Sequence, residues 1–464
     1  MQEILHLLTN DIFFWMAWVI IPLVMEIIPG LLGFFILVFK KITEKEDAPL
    51  TYCPDITLII PVYNSADSLW ACLDSVDKST YPNKNISLIL VDNGSKDNSF
   101  EIFVEYQKTH LDMNAKWLNS KQGKSKALNM ALFNSEGKYI IHIDSDGILH
   151  PDALEHMIRR FESNDNIHCM TGAVLTNPEM IKKEKNLFRR FIQKTEFYEY
   201  AQAFLAGRNY EAELNSIFTL SGAFSAFRKS TILKTQLYNT ETVCEDTQVT
   251  FQIRYLLKKK IDICENAMFF VDPIESINRL YVQRQRWQRG EIEVIHMFPD
   301  RKGGVHTMLT NFMSRILIYD HTFAFPRMIW YFALLCLSFI GYPFRYIVIS
   351  LILIYVMYVL SALLYYFHVC IYLSWDKQLK RFYAWKVGYI LVLPLFNFMV
   401  YWFRFAGIIN SIKGASTWRT RGFDEEIKVC KEIMVSDFMF LKKWIDKVKK
   451  RIYEPEESEK EETK

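Results

Sequence analysis

Asp144-Ser145-Asp146 sets two carboxylates around one small residue at the end of the apolar run KYIIHIDSD. Such a pair can share a hard divalent cation, and Mg²⁺ favours a few carboxylates completed by phosphate oxygens. A cation held there would offset the charge that grows on a departing diphosphate. The same triplet also serves as a solvated turn or a helix cap, and alone it does not choose between these. Glu245-Asp246 opens the apolar-periodic stretch CEDTQVTFQIRY. An acidic pair suits a helix start because it complements the dipole. It can equally act as a general base on an acceptor hydroxyl. Gln283-Arg284-Gln285-Arg286-Trp287 lies in a basic amphipathic stretch just ahead of long apolar runs. That stretch can rest on lipid headgroups, or an arginine can hold a diphosphate while the tryptophan offers an apolar face to a sugar ring.

Certain elements must position these groups. ITLIIPVYN, from residue 56, reads as a strand that ends in a loop at Tyr63 and Asn64. A helical stretch, SADSLWACLDSV, follows, and then a second strand ends at Asp92 and Asn93. A helix from 97, a short strand near 115–118, a helix near 123–135 and the strand KYIIHI complete the series. Strands alternating with helices imply an α/β fold with a parallel sheet covered on both faces. Ligands in such sheets bind beyond the C-terminal strand ends, where Tyr63, Asp92, Asp144 and Asp146 fall.

The chain has 464 residues, half of them hydrophobic and 15% aromatic. The apolar content is concentrated in 11–39 and 323–409, while 50–310 has the composition of a water-soluble fold. A net charge of +3 supplies no clustered basic face for nucleic acid. The eight cysteines form no CxxC pair, so they read as unpaired thiols in a reducing compartment. No signal-peptide pattern opens the chain. Residues 11–39 are long enough to cross about 30 Å of hydrocarbon, as one kinked helix or as two short passes. Lys40-Lys41 then put the following residues in the cytoplasm. Three more apolar segments lie near 323–342, 346–373 and 384–409, with the basic linker WDKQLKR expected as a cytoplasmic loop. One pass followed by three would leave the C-terminus outside, yet residues 433–452 are rich in lysine and fit a basic amphipathic helix on an anionic leaflet. Either the first stretch crosses twice, or 384–409, interrupted by Pro394, does not cross fully. Residues 454–464 are acidic and expected to be disordered.

Taken in order, these pieces resemble the membrane-bound family 2 glycosyltransferases that make cellulose, chitin, hyaluronan and poly-N-acetylglucosamine. The likeness runs over roughly residues 50–425. PVYN matches the opening, although Ser65 stands where an acidic residue is usual. VDNGSKDNS is similar to the uridine-binding stretch, KQGKSKALNMAL to the donor-contacting stretch, and TLSGAFSAFRK to the acceptor-side segment. IDSD corresponds to the Asp-x-Asp motif. CEDT corresponds to Thr-Glu-Asp, with Cys244 in place of threonine. QRQRW fits the Gln-(Gln/Arg)-x-Arg-Trp signature of polymer-making members. STWRTRG (416–422) looks like a cytoplasmic element of chitin synthases, with Arg419 where glycine is usual.

The resemblance implies a GT-A (Rossmann-like) cytosolic domain over 50–274, flanked by transmembrane α-helices at 1–41 and 323–410. Interface helices would occupy 275–322, and 411–464 would form a cytoplasmic tail. It implies a UDP-sugar donor, either UDP-N-acetylglucosamine or UDP-glucose, held by Tyr63, Asp92, Lys124, Asp144, Gln283 and Arg286. Mg²⁺ or Mn²⁺ would sit on Asp146 and Asp144. Asp246, with Glu245 beside it, would act as base, and Trp287, Ser221 and Gly222 would meet the acceptor. The product would be a β-linked glycan moved across a plasma or inner membrane, with a homodimer or an export partner completing the path. Three other readings stand beside this one: single-sugar addition to a lipid-linked acceptor, a catalytically silent UDP-sugar-binding subunit, and an enzyme whose apolar segments only anchor it.

Overall fold

The computed structural model describes residues 23–44, 47–298, 333–341, 343–413, 422–428 and 431. Most of the basic tail, nearly all of STWRTRG, and parts of the first and second apolar segments therefore lie outside the described residues.

Eight strands form one sheet: β1 (Ile56–Val62), β2 (Ile86–Asp92), β3 (Asn114–Asn119), β4 (Tyr139–Ile143), β5 (Gly147–Leu149), β6 (Cys169–Thr176), β7 (Phe224–Arg228) and β8 (Asp262–Val271). Their order is β3-β2-β1-β4-β7-β6-β8-β5. The first four strands are parallel, as expected. The rest corrects the expectation of a wholly parallel sheet. β7 runs antiparallel to both β4 and β6, β5 antiparallel to β8, and β6 parallel to β8. β1 is buried along its whole length, as a central strand covered on both faces must be. Pro61 falls beyond Ile59–His142, the last β1–β4 pair, so no bond to β4 is lost at its missing N–H.

Alternate strand residues feed opposite faces. Leu58, Ile60, Leu88, Leu90 and Ile141 pack against α2 (Leu69–Asp77), α3 (Ser99–Thr109) and α5 (Ala153–Ser163). Ile59, Ile89, Val91 and Ile140 pack against α4 (Lys124–Phe133) and α7 (Glu245–Tyr255). Between them lies α6 (Leu187–Tyr200), and after β8 comes α8 (Ile277–Met297), which carries the QRQRW stretch. The Ser276 hydroxyl accepts from the Arg279 N–H and caps α8.

The apolar segments are helical where described. A wide turn at Leu23–Ile27 leads into α1 (Ile28–Thr43), with Pro29 in its first turn, where a missing N–H is tolerated. α9 (Phe344–Tyr372) and α11 (Tyr389–Lys413) follow. Two helical stretches, Phe344–Trp375 and Tyr389–Ser411, are long and apolar enough to cross a membrane. Pro394 does not break α11. The basic linker is a helix rather than a loop, α10 (Lys377–Ala384), because Asp376 Oδ1 accepts from the N–H groups of Gln378 and Leu379. α10 lies on the sheet-bearing part of the chain, with Tyr383 stacked on Tyr198 at 4.3 Å. The end of α1 is fastened there too, through Lys40–Glu213 at 3.1 Å and through Arg160, which pairs with Glu44, Asp47 and Glu265.

Candidate active site

The C-terminal ends of β1, β2 and β4 open on one side of the sheet. In register, Val62 faces Asp92 and Asp92 faces Asn119, so the loops after β1, β2 and β3 begin together. Asp92 Oδ1 accepts from the Ser95 N–H at 3.0 Å, and its carbonyl accepts from the Ser120 N–H at 2.8 Å. The Asn93 side-chain oxygen accepts from the Gly123 N–H. Gly123 has φ +135°, a conformation that favours glycine, and it turns the chain directly into α4, so Lys124 is its first residue. The exposed Tyr63 hydroxyl accepts from Gln122 Nε2 at 3.5 Å.

Lys124 joins the halves of the site. Its ammonium lies 2.7 Å from Asp144 Oδ1 and 3.5 Å from Glu245 Oε1, and it donates to the Gly222 carbonyl at 3.2 Å. Burial alone would lower its pKa, but Asp144 and then Glu245 outweigh that and hold it well above the usual value. Asp144 is half-buried, and its N–H donates to the Ala223 carbonyl at 3.2 Å, which sets the Ser221–Gly222 turn beside it. A Cβ on Gly222 would stand 2.8 Å from Asp246 Oδ2, so glycine is what lets the turn approach that carboxylate. Ser221 holds the turn, its carbonyl accepting from the Phe224 N–H and its own N–H donating to Thr171 Oγ1.

Asp146 is exposed to solvent, although protein atoms surround much of its carboxyl. Burial, then the neighbouring Asp144 charge, pushes its carboxyl up to about 6. Burial likewise raises Glu245 and Asp246 above the ordinary carboxylate range, although Lys124 opposes the rise. Among the described residues, no three His, Cys, Asp or Glu side chains gather as a cage for a metal ion. Two carboxylates, one of them short of positive charge, instead fit a cation that completes its shell with phosphate oxygens and water.

Gln283, Arg286 and Trp287 occupy one face of α8 by their spacing. Arg286 lies near enough to Cys244, the residue before Glu245, to lower that thiol's pKa against a larger rise from burial. Gln283 Oε1 is buried without a hydrogen-bond partner among the described residues. The half-buried Trp287 meets Phe204 edge-on with ring centroids 6.0 Å apart, and the Arg284 guanidinium lies 4.4 Å from its centroid. α8 is pressed against the acidic helix start: a Cβ on Gly290 would stand 1.8 Å from Cys244 Sγ.

Thus Lys124, Asp144, Glu245, Asp246 and Gly222 form one cluster, with Asp146 beside it. Tyr63 and Asp92 stand at the neighbouring strand ends. Two features escaped the sequence reading. Glu199 binds Arg284 at 2.6 Å across a separation of 85 residues, which leaves no local signal. His142, two residues before Asp144, is buried between Tyr238 and Ser225 and held neutral, its pKa pushed down to about 3 by burial and then by Lys124. A histidine inside an apolar strand is a visible cue, but its partners are distant in sequence.

Residues 57–234 match the family described as Glycosyl transferase family 2. Over 240 residues the chain is 29% identical to poly-beta-1,6-N-acetyl-D-glucosamine synthase of Staphylococcus epidermidis, covering 52% of this chain and 55% of that protein. Over 255 residues it is 26% identical to the synthase of the same name from Staphylococcus aureus, covering 55% and 59%. The chain therefore spans little more than half the length of these relatives. Among solved structures, a mannosyltransferase from Pyrobaculum calidifontis in complex with GDP-Man and Mn²⁺ superposes with a TM-score of 0.54 at 17% identity. That match covers 82% of this chain and 98% of the mannosyltransferase, a likeness of fold. The chain therefore carries a glycosyl transferase family 2 domain.

Proposed function

We propose that the chain is an inverting membrane glycosyltransferase that extends a β-linked glycan from UDP-N-acetylglucosamine. The observation that carries this reading is the cluster at the strand ends, where Lys124 bridges Asp144 to Glu245 while Gly222 lies against Asp246. One pocket thus offers donor-side carboxylates and an acidic base side by side. The sugar is supported by the names of the relatives, both poly-N-acetylglucosamine synthases. The alternative donor, UDP-glucose, differs at one substituent.

Tyr63 and Asp92 hold the uracil end of the donor, and Lys124 and Arg286 face its diphosphate. Asp144 and Asp146 would hold Mg²⁺ or Mn²⁺, which when bound supplies positive charge to the departing diphosphate. The solved neighbour's Mn²⁺ complex agrees with that use. Asp246 accepts the proton of the acceptor hydroxyl, and burial strengthens it as a base by raising its pKa. The hydroxyl oxygen bonds to the anomeric carbon as the carbon–oxygen bond to UDP breaks on the opposite face, so an α-donor gives a β-linkage. Gln283 joins Arg286 on the donor, Ser221 and Gly222 line the acceptor's approach, and the terminal acceptor sugar stacks on Trp287. α9 crosses the bilayer, with the sheet domain on the cytoplasmic side, in a plasma or inner membrane, while α11 lies along α8, Arg404 Nε donating to Gln288 Oε1 at 2.8 Å. α10, packed on that domain, supports this arrangement. The full QRQRW match favours repeated addition over a single transfer.

The test is UDP release by the detergent-solubilised protein with Mg²⁺ or Mn²⁺ across a panel of UDP-sugars, with products sized by mass spectrometry. Release with UDP-N-acetylglucosamine and a ladder of products supports the reading. A single-sugar glycolipid would replace polymerisation by one-step transfer. Silence across the panel, with folded protein and acceptors supplied, would reject it.

A further inference from the structure

Arg284 sits inside the QRQRW stretch, and its contacts lie on α6 and on Trp287. Its guanidinium lies 4.4 Å from the Trp287 ring centroid and 5.5 Å from that of Tyr200, the last residue of α6. Glu199, the residue before, holds it at 2.6 Å. The Arg284 and Glu199 side chains are only 5% and 14% exposed, so this ion pair is shielded from water. Phe204 closes the group, edge-on to both Tyr200 at 4.9 Å and Trp287 at 6.0 Å. Tyr200 is buried in this stack, while Trp287 and Phe204 remain half-open.

A guanidinium over an indole face is attracted by the ring quadrupole, more strongly where water is excluded. That attraction orients the ring only if the guanidinium is itself fixed. Its position on α8 and the Glu199 carboxylate on α6 supply two fixed points. We infer that Glu199 and Arg284 are positioning residues, which lock the Trp287 indole at the angle needed to stack on the acceptor sugar. The inference rests on the proposed acceptor role of Trp287. It accounts for an arginine within the motif that is paired to α6, and for the acidic residue that pairs with it there. Without Glu199 the guanidinium would lose its anchor, and the indole would sample other rotamers that do not present a face to the sugar.

The test uses the full chain in detergent with UDP-N-acetylglucosamine, Mg²⁺ and a soluble β-1,6-linked N-acetylglucosamine oligomer. Glu199→Gln removes the anchor. Glu199→Gln/Arg284→Met removes both charges, so no unpaired buried ion remains to unfold the protein. Each is expected to raise the acceptor KM about tenfold while donor hydrolysis to water changes less than about twofold. Adding Glu199→Gln to Trp287→Ala is expected to change the acceptor KM little further, since the residue being oriented is gone. An unchanged acceptor KM in both Glu199 variants overturns the inference. So does a Glu199→Gln effect of full size on the Trp287→Ala background, or a parallel loss of transfer, hydrolysis and melting temperature. If Trp287→Ala itself leaves the acceptor KM unaltered, the proposed acceptor role fails, and this inference with it.

Discussion

The Lys124 ammonium stands 2.7 Å from Asp144 Oδ1 and 3.5 Å from Glu245 Oε1, and so joins the donor-side carboxylate to the Glu245-Asp246 pair. The carboxylates of Asp144, Glu245, Asp246 and the nearby Asp146 would otherwise repel one another where the protein screens poorly. Lys124→Met should therefore damage both folding and chemistry. A loss of about 1–3 kcal/mol in stability is expected, below the figure for a fully buried pair because Lys124 and Asp144 retain some exposure. Transfer should fall by at least about a hundredfold. Differential scanning fluorimetry and UDP release measure the two effects. Unchanged melting with unchanged turnover would show that the bridge is incidental.

Much of this arrangement was legible before any coordinates. Asp92, Asp144 and Tyr63 close apolar strands, and a strand that ends in a polar residue announces a sheet edge. The hands of β5 to β8 were not legible. TLSGAFSAFRK shows apolar content but not the direction in which β7 pairs, because its partners on β4 and β6 lie far off in sequence, His142 being 83 residues and Thr171 54 residues from Ser225. The α10 helix was legible in principle, since Asp376 precedes an amphipathic stretch, but its lysines and arginine read first as a charged loop. The Lys124 bridge was not, as nothing local ties residue 124 to residue 245.

Asp246 should set the acidic limb of the pH–rate profile. It works as a base only when ionised, so turnover falls as pH drops through its pKa. Burial raises that pKa, which puts the fall at higher pH than for an exposed aspartate. Lys124 partly opposes the rise, so residual turnover in Lys124→Met should show a limb displaced further toward high pH. Asp246→Asn should lose about 10²–10⁴ in turnover at all pH values, while UDP still binds. Rate profiles beside UDP titrations check both. A limb that stays in place when Lys124 is removed would dissociate it from Asp246.

Two glycines test how closely the pieces are fitted. Gly222→Ala would bring a methyl 2.8 Å from Asp246 Oδ2, and the carboxylate would have to turn away. Turnover should fall about 10–100-fold with melting changed little, because the turn is only half-buried. Gly290→Ala meets Cys244 Sγ at 1.8 Å and Cys244 Cβ at 2.8 Å, and the Cβ cannot escape by rotation. α8 must then shift relative to Glu245-Asp246. A cost of about 1–3 kcal/mol and a loss of turnover are expected, both eased by Cys244→Gly on the same chain. Lack of rescue would place the clash elsewhere.

Glu196 offers a pH test independent of turnover. It is buried on α6, and its Oε2 accepts from the Ile274 N–H at 2.9 Å. Burial, with a smaller contribution from Glu199, pushes its carboxyl up to about 7 against the pull of the Ile274 N–H and Arg284. An acid whose pKa is raised by folding is better tolerated in its neutral form. Its favourable contribution is complete below the unfolded value of 4.5 and is lost as pH rises through about 7. Glutamine is neutral at every pH and keeps an oxygen for the Ile274 N–H. Glu196→Gln should therefore match the parent protein near pH 4.5 and become the more stable of the two above pH 7, by about 2–3 kcal/mol at full effect. Melting temperatures of the pair, measured from pH 4.5 to 8.5, give the difference directly. A gap that widens with pH identifies a carboxyl held protonated beside the Arg284–Glu199 pair, and a gap that stays constant rules it out.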